Sequence, residues 1–337
     1  MAEEVILQKE ELKNLVVKKL TEANVSEKHA VIVADVLVHA DARGVSSHGV
    51  LRTEHYVKRM NEGGMNRNPQ FKVEDKGKSA VLFDGDNGMG HVITKHAMEK
   101  AIDLAKENGI GMVGIINSSH CGALSYFAEQ AAEQDVVSMV MTQTDSAVVP
   151  FGGAEPYFGT NPIAYGFPAK KHKPIIVDMA TSNVALGKVL HARETGKSIP
   201  NNWGVDAFGN PVTDPNLVKN LLPIGGPKGY GLALTVDVLS GILTGSAFGT
   251  SIATMYGDYK NYRRLGHIIL TVDPGLFITK EEFLSNIDQI IEELHGLKPA
   301  EGFSSVMVPG EPEQLKEEER LKSGIPVPQS IYEYLTS

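Results

Sequence analysis

Three side chains in the stretch Asp41–Arg59, DARGVSSHGVLRTEHYVKR, recur at intervals of four: His48, Arg52 and Tyr56. If the chain is helical from Gly49 onward, that spacing stacks an imidazole, a guanidinium and a phenol on one face. Such a set can grip a small anion such as a carboxylate. A solvated face of a surface helix has the same spacing, and spacing alone leaves both readings open.

A second group of candidates falls where strands give way to loops. Asn117-Ser118-Ser119-His120-Cys121-Gly122 follows a β-rich run, and ligands favour the carboxyl end of a strand in an α/β layer. A histidine there can take a proton from a substrate hydroxyl at neutral pH, or can simply cap the next helix. The next run ends at Thr144 and Asp145. Asp145 could orient His120, bind a ribose, or serve as ordinary turn chemistry. VVPFGGAEPYFGTNPIA then offers a Gly-rich backbone able to approach a flat ligand, and Asp178-Met179-Ala180-Thr181 ends a third strand. Lys228, in GGPKGYG ahead of a helix, could set a cation and helix N-terminal amides against phosphates. Three consecutive strand ends of this kind point to a cofactor cleft.

Several familiar signatures do not apply. Gly109, Gly111 and Gly114 match G-x-G-x-x-G, but a helix ends at about Asn108 and the glycines lead into a strand, the reverse of a dinucleotide fingerprint. Gly109 reads instead as a helix cap. HARETGKS (His191–Ser198) ends like a phosphate-binding loop, with His191 where its first glycine belongs. The 11 histidines form no H-E-x-x-H and no Cys/His ligand cluster, so no metal is expected. The lone Cys121 reads as a small packed residue rather than a nucleophile.

These residues must be positioned by a chain of 337 residues, 42% hydrophobic, which can bury a substantial core and form two domains. A net charge of −9 without a basic block argues against nucleic acid. One cysteine, no apolar run of about 18 residues and no signal-type N-terminus lead to the expectation of a cytoplasmic protein with no membrane partner. Apolar spacing predicts helices over 6–23 and from Ser26 to about Ala42. From about Asn66, short β-rich runs (80–83, 111–116, 136–142, 163–167, 174–178, 267–272) alternate with helical ones (94–108, 123–134, 229–243), indicating an α/β layer. Charged amphipathic helices over 281–295 and 314–321 are expected to close the fold near the N-terminal ones.

DARGVSSHG with Arg52 and Tyr56, the turn SSHCGA, VVPFGGAEPYFGTNPIA, the VDMATS strand end and GPKGYGLAL together resemble the type 2 malate/L-lactate dehydrogenases. The likeness runs over nearly the whole chain with the motifs in order. It implies an α/β fold of α+β type, a non-Rossmann nicotinamide-binding architecture with a central mixed sheet flanked by helices. A helical lobe is expected from residues 1–72 plus 290–337, and an α/β cofactor-binding and catalytic domain from 73–289. The resemblance also implies NAD-dependent oxidation of a small 2-hydroxy acid. His120 would accept the C2 hydroxyl proton, Arg52 would pair with the substrate carboxylate, and His48 and Tyr56 would lie beside it. Cofactor contacts fall by the same likeness on Thr144, Asp178, Met179, Ala180, Lys228, Gly310, Glu311 and Pro312. Arg193 and Lys197 are the basic residues that could turn the preference to NADP. A homodimer or larger assembly is expected, and relatives acting on malate, lactate, sulfolactate or a cyclic imino acid are the alternatives. A non-catalytic nucleotide-binding protein that keeps the cleft is the more distant one.

Overall fold

The computed structural model describes residues 3–337. Its strands are β1 (Glu4–Leu7), β2 (Lys72–Gly77), β3 (Ala80–Asp84), β4 (Ile110–Ser118), β5 (Val137–Thr142), β6 (Ile163–Phe167), β7 (Ile175–Met179), β8 (Gly204–Val205), β9 (Asn220–Leu221), β10 (Leu265–Val272) and β11 (Ile325–Pro328). The α-helices are α1 (Lys9–Glu22), α2 (Glu27–Ala42), α3 (Thr53–Glu62), α4 (Gly90–Asn108), α5 (Ser125–Ala132), α6 (Leu186–Thr195), α7 (Pro227–Asp237), α8 (Lys280–His295), α9 (Glu311–Ser323) and α10 (Gln329–Thr336). This is the expected α/β arrangement around a mixed sheet.

That sheet has seven strands in the order β2-β3-β4-β10-β5-β6-β7. β3 runs parallel to β4, whereas β10 is antiparallel to both β4 and β5. β6 reverses against β5, and β7 against β6. The carboxyl ends of β3, β4, β5 and β7 therefore share one edge. Alternation in β4 sends Val113 and Ile115 into a core with Ala101, Ile102 and Phe127 from α4 and α5. On the other face Met141, Ile163 and Ile268 pack against Val236 of α7. The glycines of the failed fingerprint have packing roles. Gly109 caps α4 at φ +82°, and a Cβ on Gly111 would fall 2.1 Å from the Ala101 carbonyl oxygen, so β4 lies hard against α4.

A second core joins the two ends of the chain. Leu12, Val16 and Leu20 of α1 and Val33, Leu37 and Val38 of α2 pack with Ile325, Val327 and Leu335, while β1 pairs antiparallel with β11. The helix expected over 6–23 starts later, because Glu4–Leu7 is taken up in that pairing. Ser26 caps α2 as expected, accepting the His29 amide at 3.4 Å. α8 runs unbroken across the expected domain boundary at 289/290.

Candidate active site

The segment carrying His48, Arg52 and Tyr56 is not one helix. Short 3₁₀ turns at Ser46–His48 and Val50–Arg52 flank Gly49, whose backbone is extended, and α3 begins only at Thr53. The cause is Asp41 at the end of α2. It is buried, accepts the Val50 amide at 2.7 Å, and leaves no room at Gly49, where a Cβ would fall 2.2 Å from its carboxyl. Burial pushes the Asp41 pKa up to about 6.

The kink changes how the three side chains meet. Tyr56 is wholly buried, and its hydroxyl lies 2.7 Å from His120 Nδ1, to which the Gly122 amide also donates at 3.3 Å. The His48 ring stacks on His120 with centroids 5.5 Å apart. Arg52 turns the other way. Its Nε donates to the Ser47 carbonyl at 2.7 Å, and its Nη1 donates to the Tyr256 hydroxyl. All four residues line one place, but only His48 and Tyr56 touch the His120 ring.

The turn holding His120 is fixed from behind. A Cβ on Gly90, at the start of α4, would fall 2.1 Å from the Ser119 carbonyl oxygen, so the helix presses on the turn. His91 follows, wholly buried and edge-on to Tyr56 at 4.9 Å, with neither ring nitrogen partnered. Burial first, then the nearby His48 ring and the Arg52 guanidinium, hold the His120 pKa well below the ordinary histidine value. His48 is pushed down to about 4 by burial and Arg52. Both rings are neutral at neutral pH.

A further histidine, wholly buried, ties this turn to the neighbouring strand end. His267 of β10 lies 2.7 Å from Ser118 Oγ at the end of β4 and 2.5 Å from Thr142 Oγ1 at the end of β5. Just beyond β5, Thr144 Oγ1 accepts the Thr160 amide at 3.0 Å. The backbone continues the connection: Thr181 N donates to Thr160 O at 2.8 Å and Ile224 N to Thr181 O at 2.9 Å. Thr144, the end of β7 and the turn before Lys228 are thus laced into one surface.

On that surface Asp178 accepts the Ser125 amide at 2.8 Å, with Met179 and Ala180 half-buried beside it. Gly310, at φ +85°, brings its turn against β7, where a Cβ would fall 2.5 Å from the Ile176 carbonyl oxygen. The Glu311 carboxylate is already engaged by His295 at 2.8 Å and the Val308 amide at 3.0 Å, and Pro312 lies in the first turn of α9. The fit to a phosphate-bearing cofactor shows at α7. Gly225 and Gly226 take positive φ, a Cβ on Gly225 would meet nothing within 4 Å, and the exposed Lys228 follows in the first helical turn. Bare backbone, helix N-terminal amides and an ammonium form a cradle for an anion.

Other candidates are committed elsewhere. Asp145 does not reach His120; its carboxylate pairs with Arg263 and accepts the Met255 amide at 3.1 Å. Arg193 donates to the Pro215 and Val218 carbonyls, each at 2.7 Å, whereas Lys197 is exposed. Cys121 is buried, its thiol pushed up to about 12 by burial, so it holds no thiolate. Among the described residues no His, Cys, Asp or Glu cluster is arranged for a metal ion, and no helix is long and apolar enough to cross a membrane. His91, His267 and Tyr256 escape sequence reasoning. The first two sit alone in apolar surroundings and read as core, and Tyr256 lies in a segment with no helical or strand period.

The chain belongs to the malate/L-lactate dehydrogenase family, whose profile it matches over residues 7–336. It is 44% identical over 331 residues to a ureidoglycolate dehydrogenase (NAD(+)) of Escherichia coli, covering 98% of this chain and 95% of that protein. It superposes on the sulfolactate dehydrogenase of Methanocaldococcus jannaschii with a TM-score of 0.93 at 38% identity, covering 98% and 95% of the two chains. The match to the Δ1-piperideine-2-carboxylate reductase of Pseudomonas syringae has a TM-score of 0.90 at 30% identity, with 98% of each covered.

Proposed function

We propose that this protein is an NAD-dependent dehydrogenase that oxidises the C2 hydroxyl of a small 2-hydroxy acid, with (S)-ureidoglycolate the substrate and oxalurate the product, in allantoin degradation. The observation that carries the reading is the Tyr56–His120 hydrogen bond beside the Arg52 guanidinium at the edge where the strand ends meet. The 44% identity to a ureidoglycolate dehydrogenase supports the choice of substrate.

His120 takes the hydroxyl proton. A neutral imidazole carries one N–H. With that proton on Nδ1, directed at the Tyr56 oxygen, Nε2 is bare and serves as the base. With the proton on Nε2, Tyr56 donates to Nδ1 and the ring is a proton donor for the reverse, reductive direction. The pair thus serves both directions, with the Gly122 amide bond to Nδ1 kept only in the Nε2-protonated, reductive form and given up when Nδ1 carries the proton. Arg52 holds the carboxylate, for which its planar fork is matched. His48, stacked on His120, excludes water from the imidazole face. Thr144, Asp178, Met179, Ala180, Lys228 and the turn Gly310-Glu311-Pro312 would hold NAD, which when bound supplies the hydride acceptor. Glu311 would contribute through its backbone, since its carboxylate is engaged by His295. Commitment of Arg193 to two carbonyls supports NAD over NADP.

We further propose a homodimer or larger assembly in the cytoplasm, with 1–72 plus 290–337 as a helical lobe and 73–289 as the catalytic domain. Leu234, Val238 and Ile242 recur at intervals of four along α7 and its continuation, 38–54% exposed, an apolar face suited to a second copy. The core shared by the chain ends supports the lobe.

The deciding experiment follows absorbance of the reduced cofactor with NAD or NADP against ureidoglycolate, malate, lactate and sulfolactate, and its loss against Δ1-piperideine-2-carboxylate. Turnover of ureidoglycolate with NAD, well above the others, is expected. Preference for another acid reassigns the substrate within the family, and cofactor binding without any turnover favours the non-catalytic reading.

A further inference from the structure

The loop 252–264 feeding β10 carries no residue of the reaction described above, yet it is heavily tied down. Arg59 of α3, wholly buried, donates to the carbonyls of Thr254 at 2.9 Å, Met255 at 2.8 Å, Asp258 at 2.6 Å and Asn261 at 3.0 Å. Arg263, only 2% exposed, pairs with Asp145 and donates to the Ala253 carbonyl at 3.2 Å. The other Asp145 oxygen accepts the Met255 amide at 3.1 Å. Two buried guanidiniums and a carboxylate thereby fix the backbone on either side of Tyr256. That residue is itself 55% exposed, standing at the rim over Arg52 with its ring 5.7 Å from the guanidinium carbon.

The direction of the Arg52–Tyr256 bond decides what the rim offers. A guanidinium has no lone pair to give, so the phenolic oxygen accepts. The Tyr256 O–H proton therefore points away from Arg52, and no protein group accepts it among the described residues. Arg52 spends its Nε–H on Ser47 and one Nη1–H on Tyr256, leaving the remaining donors of its five free. The rim presents a phenolic proton beside a guanidinium edge, donors only, which suits a carboxylate.

We propose that Tyr256 is a second arm of the substrate-anion site, donating to the same carboxylate that Arg52 pairs with, and that Asp145, Arg263 and Arg59 are positioning residues that hold it there. The inference rests on the reading of Arg52 as the carboxylate anchor. Two measurements test it: steady-state kinetics, and calorimetric binding of oxamate, a 2-oxo acid mimic, to the protein saturated with NADH. In Tyr256→Phe, KM for the hydroxy acid should rise about tenfold to a hundredfold, the loss of one hydrogen bond to a charged group, while kcat and the KM for NAD stay nearly constant. Oxamate binding should weaken by the same factor. Asp145→Asn should give the same split from a distance, with Asp145→Glu restoring part of it. Wild-type KM and wild-type oxamate affinity in Tyr256→Phe overturn the proposal. Asp145→Asn that loses kcat with KM intact removes the positioning role. An inactive wild-type protein counts against the proposed reaction instead, and oxamate binding by the two proteins still decides on Tyr256.

Discussion

At the scale of single residues, the proposed site separates a proton acceptor from an anion anchor, and each makes its own prediction. His120→Ala should lower kcat by about two to four orders of magnitude with a modest change in KM, as expected for loss of a general base. Near-normal turnover would remove the assignment. Arg52→Lys keeps the charge and loses the planar fork, so KM for the acid should rise and kcat/KM fall, about tenfold or more. Because burial holds the His120 pKa well below its ordinary value, kcat/KM for oxidation should stay flat on the acid side down past pH 6; a fall-off near 6.5 in a pH-rate profile would show the imidazole in water. The sequence showed these residues unevenly. His48, Arg52 and Tyr56 were visible as a spacing, His120 as a strand-end histidine, and their roles only through the family likeness. His91 and His267 stayed hidden because a lone histidine in an apolar run has no periodic signature, and its partners lie far away along the chain. Asp145 was visible as a polar strand end, but its partners Arg263 and Met255 come from a loop more than a hundred residues on.

At the scale of elements, the main sheet was largely legible: β6 lies over the expected residues, and β3, β4, β5, β7 and β10 depart from expectation by one or two residues at an end. Buried strands of this kind announce themselves as short apolar runs between turn residues. The elements that escaped are those whose stability is borrowed. β2 is exposed along its whole length and gains its pairing from β3, and β1 and β11 exist only through each other. The kink at Gly49 was also illegible, since a four-residue spacing does not reveal a buried carboxylate where a Cβ would go. It makes a prediction of its own. Gly49→Ala should push the Asp41 carboxyl out of place and swing the 46–52 turn, raising KM for the acid severalfold with little change in KM for NAD. Equal damage to both would mean that the turn does not serve the anion site selectively.

At the scale of the whole molecule, the interior holds several imidazoles that must stay neutral. His39, His55, His91 and His267 are each pushed down to about 3, and His48 to about 4, with burial the largest cause. Unfolded, they titrate near 6.5, so their contribution to stability is complete above that pH and is lost as pH falls toward 4 and 3. Asp41 works in the opposite sense, favouring the fold below its ordinary 3.8 and losing that contribution as pH rises through about 6. Burial also raises Glu129, Asp178 and Asp237, which act with Asp41, and lowers His29 and His120, which act with the other imidazoles. With seven imidazoles against four carboxyls, Tm should drop between about pH 6.5 and 4, and His91→Gln should make the slope shallower; a flat Tm over that range would contradict it. β10 has one more effect. By lying antiparallel between β4 and β5, it makes those two strands next-nearest neighbours, so the end that leads to His120 and the end that leads to Thr144 stand two strand spacings apart, about 10 Å. That interval is a ruler written in backbone hydrogen bonds, which loop substitutions cannot stretch. On the proposed reading, changes in the loops around the rim can therefore retune which acid is accepted while the distance between the strand ends leading to His120 and Thr144 stays constant.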